Sequence, residues 1–241
     1  MSKLISVIIP NYNESGNVSR GALNNVLEYL KKQSYEWEIV ISDDGSTDNT
    51  VDIVKSFNDK RIKLIEGPRT GLVNNYEFLL SLASGEYIFL SDQDDVWFPN
   101  KVEVMLAHLH DVDLVVCDCI VVDARMDVLH PSFFLLLNSG SGLVRNLLRN
   151  RYLGCCIAFR QRLLKHALPF PPDLPVHDWW LGLVAEIFGG VIFINQPLMM
   201  YRRHGGNASP ATERSQVSWI RRLYWRINLL NALIGRKFNL Y

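Results

Sequence analysis

Three aspartates, Asp92, Asp94 and Asp95, stand within four positions of one another. They directly follow an apolar run, Tyr87–Leu90, whose residue types predict a buried strand. Clustered carboxylates repel one another and are costly to bury, so packing alone does not account for them. Mg²⁺ is often held by one or two carboxylates together with substrate phosphates. We therefore expect a metal and diphosphate site at this strand end; an acidic turn, in which Asp95 or Asn100 caps the next helix, is the alternative.

Two further strand ends would lie beside this acidic cluster. The run Leu4–Ile9 predicts a strand that stops at Pro10, and Trp37–Ile41 predicts a strand that is followed by Asp43. Strands that alternate with helices indicate a parallel α/β sheet, and such sheets bind ligands beyond the carboxyl ends of their strands. One crevice is therefore expected to collect Pro10, Asp43 and the acidic cluster.

The remaining elements are predicted from apolar periodicity and from turn and cap residues. In the first half we expect helices over Val18–Lys32, from Thr47 or Asp48 to about Phe57, over Leu72–Ala83 and over Pro99–His110, with a further strand at Ile62–Ile65. In the second half we expect strands at Asp113–Asp118, Cys155–Phe159, Val191–Ile194 and Pro197–Tyr201, a basic loop and helix over Phe133–Arg151, and a helix from His177 to about Phe188.

Composition narrows the classes of protein that this chain can belong to. Hydrophobic residues make up 48% of the 241 residues, which is enough for a core, and 25 basic residues balance 25 acidic ones. A neutral chain argues against nucleic-acid binding through bulk positive charge. Four cysteines in C-x-C and CC spacing match neither a zinc signature nor a disulfide framework. With no signal peptide visible at Met1–Pro10 and no apolar run of membrane-spanning length, a reducing cytoplasmic location is expected.

The C-terminal segment carries aromatic and aliphatic residues at helical spacing, with basic residues interspersed. The apolar set is Trp219, Ile220, Leu223, Tyr224, Ile227, Leu230 and Ile234, and the basic set is Arg221, Arg222, Arg226, Arg236 and Lys237. An amphipathic helix of this kind suits a membrane interface. Docking on the protein's own core is an equally good reading of the pattern.

Five blocks of the sequence together resemble family 2 glycosyltransferases with the GT-A fold. They are Val7–Asn13, Ser42–Asp48, Ser91–Trp97, His177–Trp179 and Tyr201–His204, and they occur in the order expected for the family. The Ser-Asp-Gln-Asp-Asp-x-Trp form of the third block is similar to a subgroup rich in bacterial rhamnosyltransferases and other cell-surface polysaccharide transferases. The resemblance implies a Rossmann-like, mostly parallel sheet flanked by helices and followed by the amphipathic C-terminal segment.

The resemblance also implies where a metal and a sugar nucleotide would bind. Asp94 would be a direct ligand of Mn²⁺ or Mg²⁺, Asp92 would lie nearer the ribose or a metal-bound water, and His204 would complete the metal shell. Asp95 remains open between a supporting role and a helix cap. We expect the donor to contact Pro10, Tyr12, Asn13, Glu14, Asp43, Arg69, Gly71, Asn75, Asp92 and Gln93.

Several donor contacts have simple alternatives. A carboxylate at Asp43 would accept a hydrogen bond from a pyrimidine ring N–H, which favours uracil or thymine, whereas an Asx-turn is its ordinary role. If Asp43 binds the base, Asp44 and Gly45 only form the turn. Gly71 allows close backbone approach at a helix N-terminus, which favours anions. Arg69 would meet the diphosphate, although a lone loop arginine is more often simply solvated.

Asp178 is the expected general base, because it would accept the proton of an acceptor hydroxyl as that oxygen attacks the anomeric carbon. A helix N-cap is its structural alternative. His177 stands where the family often has an acidic residue, and we expect it to contact the acceptor. Trp179 is a candidate platform for the acceptor sugar, although large aromatics are more often core residues.

These expectations define one leading function. It is an inverting transferase that moves a sugar from a UDP- or dTDP-sugar to a glycan acceptor, lipid-linked and at the inner face of the cell membrane. A nucleotidyltransferase is the first alternative, but the loop 11–17 lacks the basic residues that would hold a triphosphate. A non-catalytic sugar-binding or membrane scaffold protein is the second. The expected domains are a catalytic unit over 1–210, with a nucleotide-sugar half to 118 and an acceptor half over 119–210, and an extension over 211–241.

Overall fold

The computed structural model describes residues 4–19, 22–203 and 217–238 of the chain. The strands are β1 (Ile5–Asn11), β2 (Trp37–Asp43), β3 (Ile62–Glu66), β4 (Tyr87–Leu90), β5 (Val96–Trp97), β6 (Leu114–Val122), β7 (Val128–His130), β8 (Ile157–Arg160) and β9 (Val191–Arg202). The helices are α1 (Ser15–Ser19), α2 (Ala22–Lys31), α3 (Thr50–Ser56), α4 (Leu72–Leu82), α5 (Lys101–His108), α6 (Phe133–Leu137), α7 (Leu143–Leu148), α8 (Leu164–Ala167), α9 (His177–Phe188) and α10 (Trp219–Phe238).

In the described part of the chain the strands form one nine-stranded sheet. Its order is β3-β2-β1-β4-β8-β6-β9-β5, and β7 pairs with β6. The strands β1 to β4 pair with one another in parallel, whereas β8 is antiparallel to both β4 and β6. The α/β class and the C-terminal helix are therefore confirmed, and the second half of the sheet is mixed rather than parallel.

Strand register brings the predicted polar residues to one edge of the sheet. Asn11 lies opposite Asp43, and Ile8 lies opposite Leu90. The residues that follow Leu90 therefore continue alongside Pro10. The Gln93 side chain fixes this arrangement, because its Nε2 donates a hydrogen bond to the Pro10 carbonyl oxygen.

The central strands β1, β2 and β4 are buried along their whole length. Burial on both faces is the reason that they read as continuous apolar runs rather than as alternating ones. Helix α9 is also buried, from His177 to Ala185. A helix that is apolar on all sides lies inside the core, which places its first residues, His177 and Asp178, at a fixed depth in the molecule.

Two element boundaries differ from the sequence predictions. The helix expected over Val18–Lys32 covers the end of α1 and all of α2, and residues 20 and 21 between them lie outside the described residues. The two strands expected around Pro197 are one strand, β9, because a register shift opposite Asp118 accommodates the proline. The expected strand Cys155–Phe159 begins instead with a 3₁₀ turn, Gly154–Cys156, and becomes extended at Ile157.

Helix α10 docks on the body of the protein through one face. Leu229 and Leu233 are buried there, and Trp225 is partly buried against the same core. None of the helices in the described ranges has the length and hydropathy that a bilayer-spanning segment needs.

Candidate active site

A cleft of about 1030 Å³ opens at the carboxyl edge of β1, β2 and β4. The N-termini of α4 and α9 and the proline-rich segment 170–175 form its other walls. Most of the sequence-predicted site residues line it: Pro10, Tyr12, Glu14, Arg69, Gly71, Asn75, Asp92, Gln93, Asp94, His177 and Asp178. Asn13, Asp43 and Trp179 are not among the lining residues, and His204 lies outside the described residues.

The acidic cluster divides into two carboxylates at the cleft and one beneath it. Asp92 and Asp94 line the cleft, whereas Asp95 is fully buried. An Asp95 carboxylate oxygen accepts a hydrogen bond from the Asp92 backbone N–H at 2.9 Å. Burial and the charges of Asp92 and Asp94 raise the pKa of Asp95 well above its usual range, and the buried Lys101 ammonium opposes this shift. Asp95 therefore holds the loop from below, and the N-cap position of α5 belongs to Asn100.

Burial and the neighbouring negative charges disfavour ionisation of Asp92. Burial, together with the charges of Asp94, Asp178 and Glu14, raises the pKa of Asp92 to about 7, against a hydrogen bond from Tyr76. Desolvated like charges at this spacing are unfavourable unless a proton or a cation neutralises them.

The donor atoms present fit a hard divalent cation. The two cleft carboxylates, Asp92 and Asp94, supply the oxygen ligands that Mg²⁺ and Mn²⁺ accept. Ligand atoms of Asp92, Asp95 and Cys155 also lie within 4.8 Å of one another. Burial raises the pKa of the Cys155 thiol well above its usual range, so this sulfur is a protonated core atom rather than a thiolate ligand.

Asp178 lies in the first turn of α9, at the opposite side of the cleft from the sheet edge. Burial raises its pKa to about 6. The side-chain amide of Asn150 donates a hydrogen bond to its Oδ1 at 3.0 Å and lowers the pKa, as do nearby backbone N–H groups. Val176, not Asp178, occupies the N-cap position of α9. The carboxylate is thus available as a base whose pKa lies close to neutral pH.

The hydrogen bond from Asn150 to Asp178 should influence how kcat depends on pH. Replacing Asn150 with Ala removes a hydrogen bond to the ionised Asp178, so the pKa of Asp178 should rise by about 0.5 to 1 unit. If Asp178 is the base, the acid limb of the kcat–pH profile moves to higher pH by the same amount. Asn231→Ala, on an exposed face of α10, is the matched control. If the acid limb of the kcat–pH profile does not move in Asn150→Ala, the group that titrates in this limb is not Asp178.

Two aromatic rings connect the acidic cluster with α9. The buried Tyr76 hydroxyl donates a hydrogen bond to Asp92 Oδ1 at 3.2 Å, and its ring stacks on the His177 imidazole with centroids 3.5 Å apart. Burial lowers the pKa of His177 to about 3, so the ring is neutral at neutral pH. Neither ring nitrogen has a hydrogen-bond partner within the described residues. Both nitrogen atoms are buried, and Nε2 packs against Gly154, so the donor and the acceptor of the neutral ring face the protein interior.

The loops after β1 and β2 are tied to each other. The Ser46 hydroxyl accepts a hydrogen bond from Asn13 N–H, and the Asn13 carboxamide accepts one from Thr47 N–H, both at 2.8 Å. The Asp43 carboxylate accepts hydrogen bonds from the backbone N–H groups of Gly45 and Ser46. Asp43 therefore forms the Asx-turn that was its structural alternative, and Asn13 joins the loops rather than lining the cleft.

The neighbouring aspartate, Asp44, faces the cleft instead. Its two carboxylate oxygens accept hydrogen bonds from Arg69 N–H at 2.6 Å and from Gly71 N–H at 3.0 Å. Arg69 and Gly71 both have positive φ, of 58° and 95°, so this carboxylate holds a loop that is bent sharply before α4. Sequence reasoning had assigned Asp44 to the turn only.

Trp179 does not offer its ring to the cleft. The residue is buried, and its indole N–H donates a hydrogen bond to the Asn146 carbonyl oxygen at 2.6 Å. The residue expected to be the acceptor platform is thus a core residue. His177 and Asp178 lie on the cleft side of α9, and the next position turns away from the cleft into the core.

A comparison with known families bears on this cleft. The model of the family "Glycosyl transferase family 2" matches residues 6–168, which include most of β1, all of β2 and β4, and the acidic cluster. The chain belongs to glycosyl transferase family 2. Among curated family relatives, the UDP-Glc:alpha-D-GlcNAc-diphosphoundecaprenol beta-1,3-glucosyltransferase WfgD of Escherichia coli is 38% identical over 106 residues, which are 43% of this chain. The match spans only 40% of the length of that enzyme.

Solved structures show that this family 2 chain has the GT-A fold. The structure of Staphylococcus aureus TarS 1-349 in complex with UDP-GlcNAc has a TM-score of 0.68 and 20% identity, and the match covers 98% of this chain and 72% of that one. The mannosyltransferase PcManGT of Pyrobaculum calidifontis, in complex with GDP-Man and Mn²⁺, has a TM-score of 0.57 and 21% identity, covering 98% of this chain and 63% of that one. The predicted family and fold are confirmed.

Proposed function

We propose that this family 2 glycosyltransferase moves a sugar from a UDP- or dTDP-sugar to a hydroxyl of a glycan acceptor, with inversion at the anomeric carbon. The observation that carries the proposal is that one cleft is lined by both kinds of residue that this reaction needs. Two carboxylates suited to a metal and diphosphate, Asp92 and Asp94, line one wall, and Asp178, whose pKa is raised to about 6, lines the other.

The chemistry assigned to the chain's own residues is a single displacement. Ionised Asp178 takes the proton of the acceptor hydroxyl while that oxygen bonds to the anomeric carbon and the bond to the diphosphate breaks. Attack from the face opposite the leaving group inverts the configuration. A Mn²⁺ or Mg²⁺ ion held by Asp94 and Asp92 would stabilise the charge that develops on the departing diphosphate. The complex of PcManGT with Mn²⁺ supports a metal in this fold.

We assign the diphosphate and ribose to the wall between Arg69 and Asp92. Gly71 and the buried Asn75 line this wall at the start of α4, where the backbone N–H groups of residues 72–74 have no partner within the helix. A helix N-terminus favours phosphate oxygens, and Arg69 adds positive charge there. Pro10, Tyr12 and Glu14 would contact the base and the ribose, while Gln93 holds the loop that carries the two metal carboxylates.

The geometry favours Asp44 over Asp43 for recognition of the pyrimidine. Both can accept a hydrogen bond from the N–H of uracil or thymine, but only Asp44 lines the cleft. We therefore predict that Asp44→Asn weakens UDP binding by about tenfold, since a hydrogen bond to a charged acceptor is replaced by a neutral one. Asp43→Asn keeps an acceptor for its turn and should change the Kd by less than about threefold.

Calorimetric titration of UDP, dTDP and GDP into both variants and the wild-type protein measures this difference. The proposal is supported if the wild-type protein binds UDP or dTDP more tightly than GDP and if Asp44→Asn loses this preference. A larger effect of Asp43→Asn would return the role to Asp43. Equal binding of GDP would contradict pyrimidine recognition altogether.

The acceptor side of the proposal rests on α9 and on one relative. The neutral His177 ring lines the cleft and would pack against the acceptor next to Asp178. WfgD, by its name, acts on a diphosphoundecaprenol-linked sugar, and this supports a lipid-linked acceptor, in cell-surface polysaccharide synthesis, at the cytoplasmic face of a membrane. The transferred residue would be a hexose or a deoxyhexose such as rhamnose.

A further inference from the structure

Helix α10 carries a second apolar face, opposite the one that docks on the protein. We call it the outward stripe; it consists of Trp219, Ile220, Leu223, Ile227, Leu230, Ile234 and Phe238. Their side chains are exposed to between 43% and 68%. At 100° per residue the stripe falls on the side of the helix away from Leu229 and Leu233. The free face of a docked helix is normally polar, so a continuous apolar stripe marks an interaction surface.

The charge of α10 indicates what covers this stripe. The helix has five basic residues and no acidic one. Arg226 and Arg236 are used internally, because they donate hydrogen bonds to the carbonyl oxygens of Leu148 and Leu168. Lys237 is exposed on the border between the docked face and the stripe, and Arg222 is exposed on the docked side, near the start of the helix. A second copy of the same helix would bring like charges together, whereas anionic lipid headgroups would neutralise them.

The stripe also stands next to the rim of the active-site cleft. The Tyr224 hydroxyl donates a hydrogen bond to the Asp173 carboxylate at 2.8 Å, and the Asn228 side chain donates one to the Pro172 carbonyl oxygen at 2.6 Å. Pro172 and Asp173 both line the cleft. Whatever surface α10 rests on is therefore held beside the entrance to the acceptor side of the cleft.

Helix α7, beside α10, has exposed apolar side chains of its own. It contacts α10 through the bond from Arg226 to the Leu148 carbonyl, and its side chains Val144 and Leu148 are exposed. Arg149 follows at the end of the same helix. Apolar side chains surrounded by arginines are the composition of helices that lie in the plane of a membrane interface.

We propose that the outward stripe of α10 docks on an anionic lipid surface and holds the cleft rim at Pro172 and Asp173 against the headgroups. The inference deepens the proposed function, on which its use for a lipid-linked acceptor rests, but the docking itself depends only on α10. The helix would lie flat, with its apolar side chains at the acyl boundary, Lys237 at the phosphates and the long Arg222 side chain reaching toward them.

Sedimentation of the full chain with lipid vesicles tests this docking. The probes are vesicles of phosphatidylcholine with and without phosphatidylglycerol. The double variant Leu223→Gln/Ile227→Gln should bind the anionic vesicles at least about tenfold more weakly than the wild-type protein. The matched control is Val128→Gln/Leu129→Gln on β7, whose side chains are exposed to 60% and 50% and which should bind like wild type. Arg222→Gln/Lys237→Gln should lose the preference for anionic vesicles, as should high salt.

Three results would overturn the docking surface. The first is wild-type vesicle binding by the stripe variant with an unchanged Tm. The second is an equal loss in the β7 control. The third is a dimer, seen by light scattering, that the stripe variant dissociates, because the stripe then belongs to a second copy. Nucleotide titration keeps the two proposals distinct: wild-type protein that binds vesicles but not UDP or dTDP contradicts the function alone, and the reverse contradicts the docking alone.

Discussion

Replacing Asp178 with Asn should lower kcat for sugar transfer by about 10²- to 10⁴-fold, the usual contribution of a general base. Donor binding should be retained or slightly tightened, because Asp178 makes its hydrogen bonds with Asn150 and backbone groups, and its negative charge only opposes ionised Asp92. The remaining activity should also lose its acid limb near pH 6, since the group whose pKa is about 6 is gone.

The variant should fold at least as well as the parent protein. Burial raises the pKa of Asp178 from 3.8 to about 6. The ionised carboxylate therefore lowers the free energy of unfolding as the pH rises from 3.8 to about 6. Asn carries no charge and retains an oxygen for the Asn150 amide. Asp127→Asn, at an exposed turn before β7, controls for the loss of one negative charge. Steady-state kinetics with near wild-type kcat in Asp178→Asn would remove this residue as the base.

Replacing Asp94 with Ala should abolish the part of donor binding that depends on metal. With Mn²⁺ present, the Kd for UDP or dTDP should rise by about 100-fold or more, because a carboxylate ligand is lost from a site where charge neutralisation is the main attraction. Without metal, the affinity should stay the same or improve, since one of the charges that raises the pKa of Asp92 is removed.

Calorimetric titrations with and without Mn²⁺ separate these two effects. Asp52→Ala, an exposed aspartate in the first turn of α3, is the control for the net charge change. An Asp94→Ala protein whose nucleotide binding still responds to Mn²⁺ as the wild-type protein does would show that other residues hold the ion. Nucleotide binding that is independent of metal in the wild-type protein would contradict the metal site itself.

The first half of the fold could be predicted from the sequence for a physical reason. Parallel strands buried on both faces must be continuous apolar runs, so Ile5–Asn11, Trp37–Asp43 and Tyr87–Leu90 stand out without any knowledge of their neighbours. The second half gives no such signal. The antiparallel pairing of β8 between β4 and β6 depends on contacts between distant segments, and the proline in β9 was read as a strand break.

Only part of the candidate site could be predicted from the sequence. The aspartates that follow strands could be predicted, because the register of parallel strands brings their carboxyl ends together. The choice between Asp43 and Asp44 was not predictable, since the direction of each carboxylate depends on the turn that Gly45 and Ser46 close. Asn150 was missed because its contact with Asp178 joins residues 28 positions apart, in a loop that has no motif.

Tyr76 was missed for a different reason. An aromatic residue on an amphipathic helix reads as an ordinary core residue, and Tyr76 is buried as such a residue would be. Its functional contacts, the hydroxyl to Asp92 and the ring to His177, appear only when α4, β4 and α9 are assembled. We expect it to couple the donor and acceptor sides of the cleft.

The most direct test of the proposed activity is the release of nucleoside diphosphate from a panel of sugar nucleotides, with Mn²⁺ and with EDTA. The panel contains UDP-, dTDP- and GDP-linked sugars, and each is incubated with the wild-type protein and with Asp94→Ala. We predict release from at least one UDP- or dTDP-sugar, dependent on metal and absent in Asp94→Ala. Release from GDP-sugars alone, or equal release in EDTA, would contradict the assignment of a metal-dependent, pyrimidine-nucleotide glycosyltransferase.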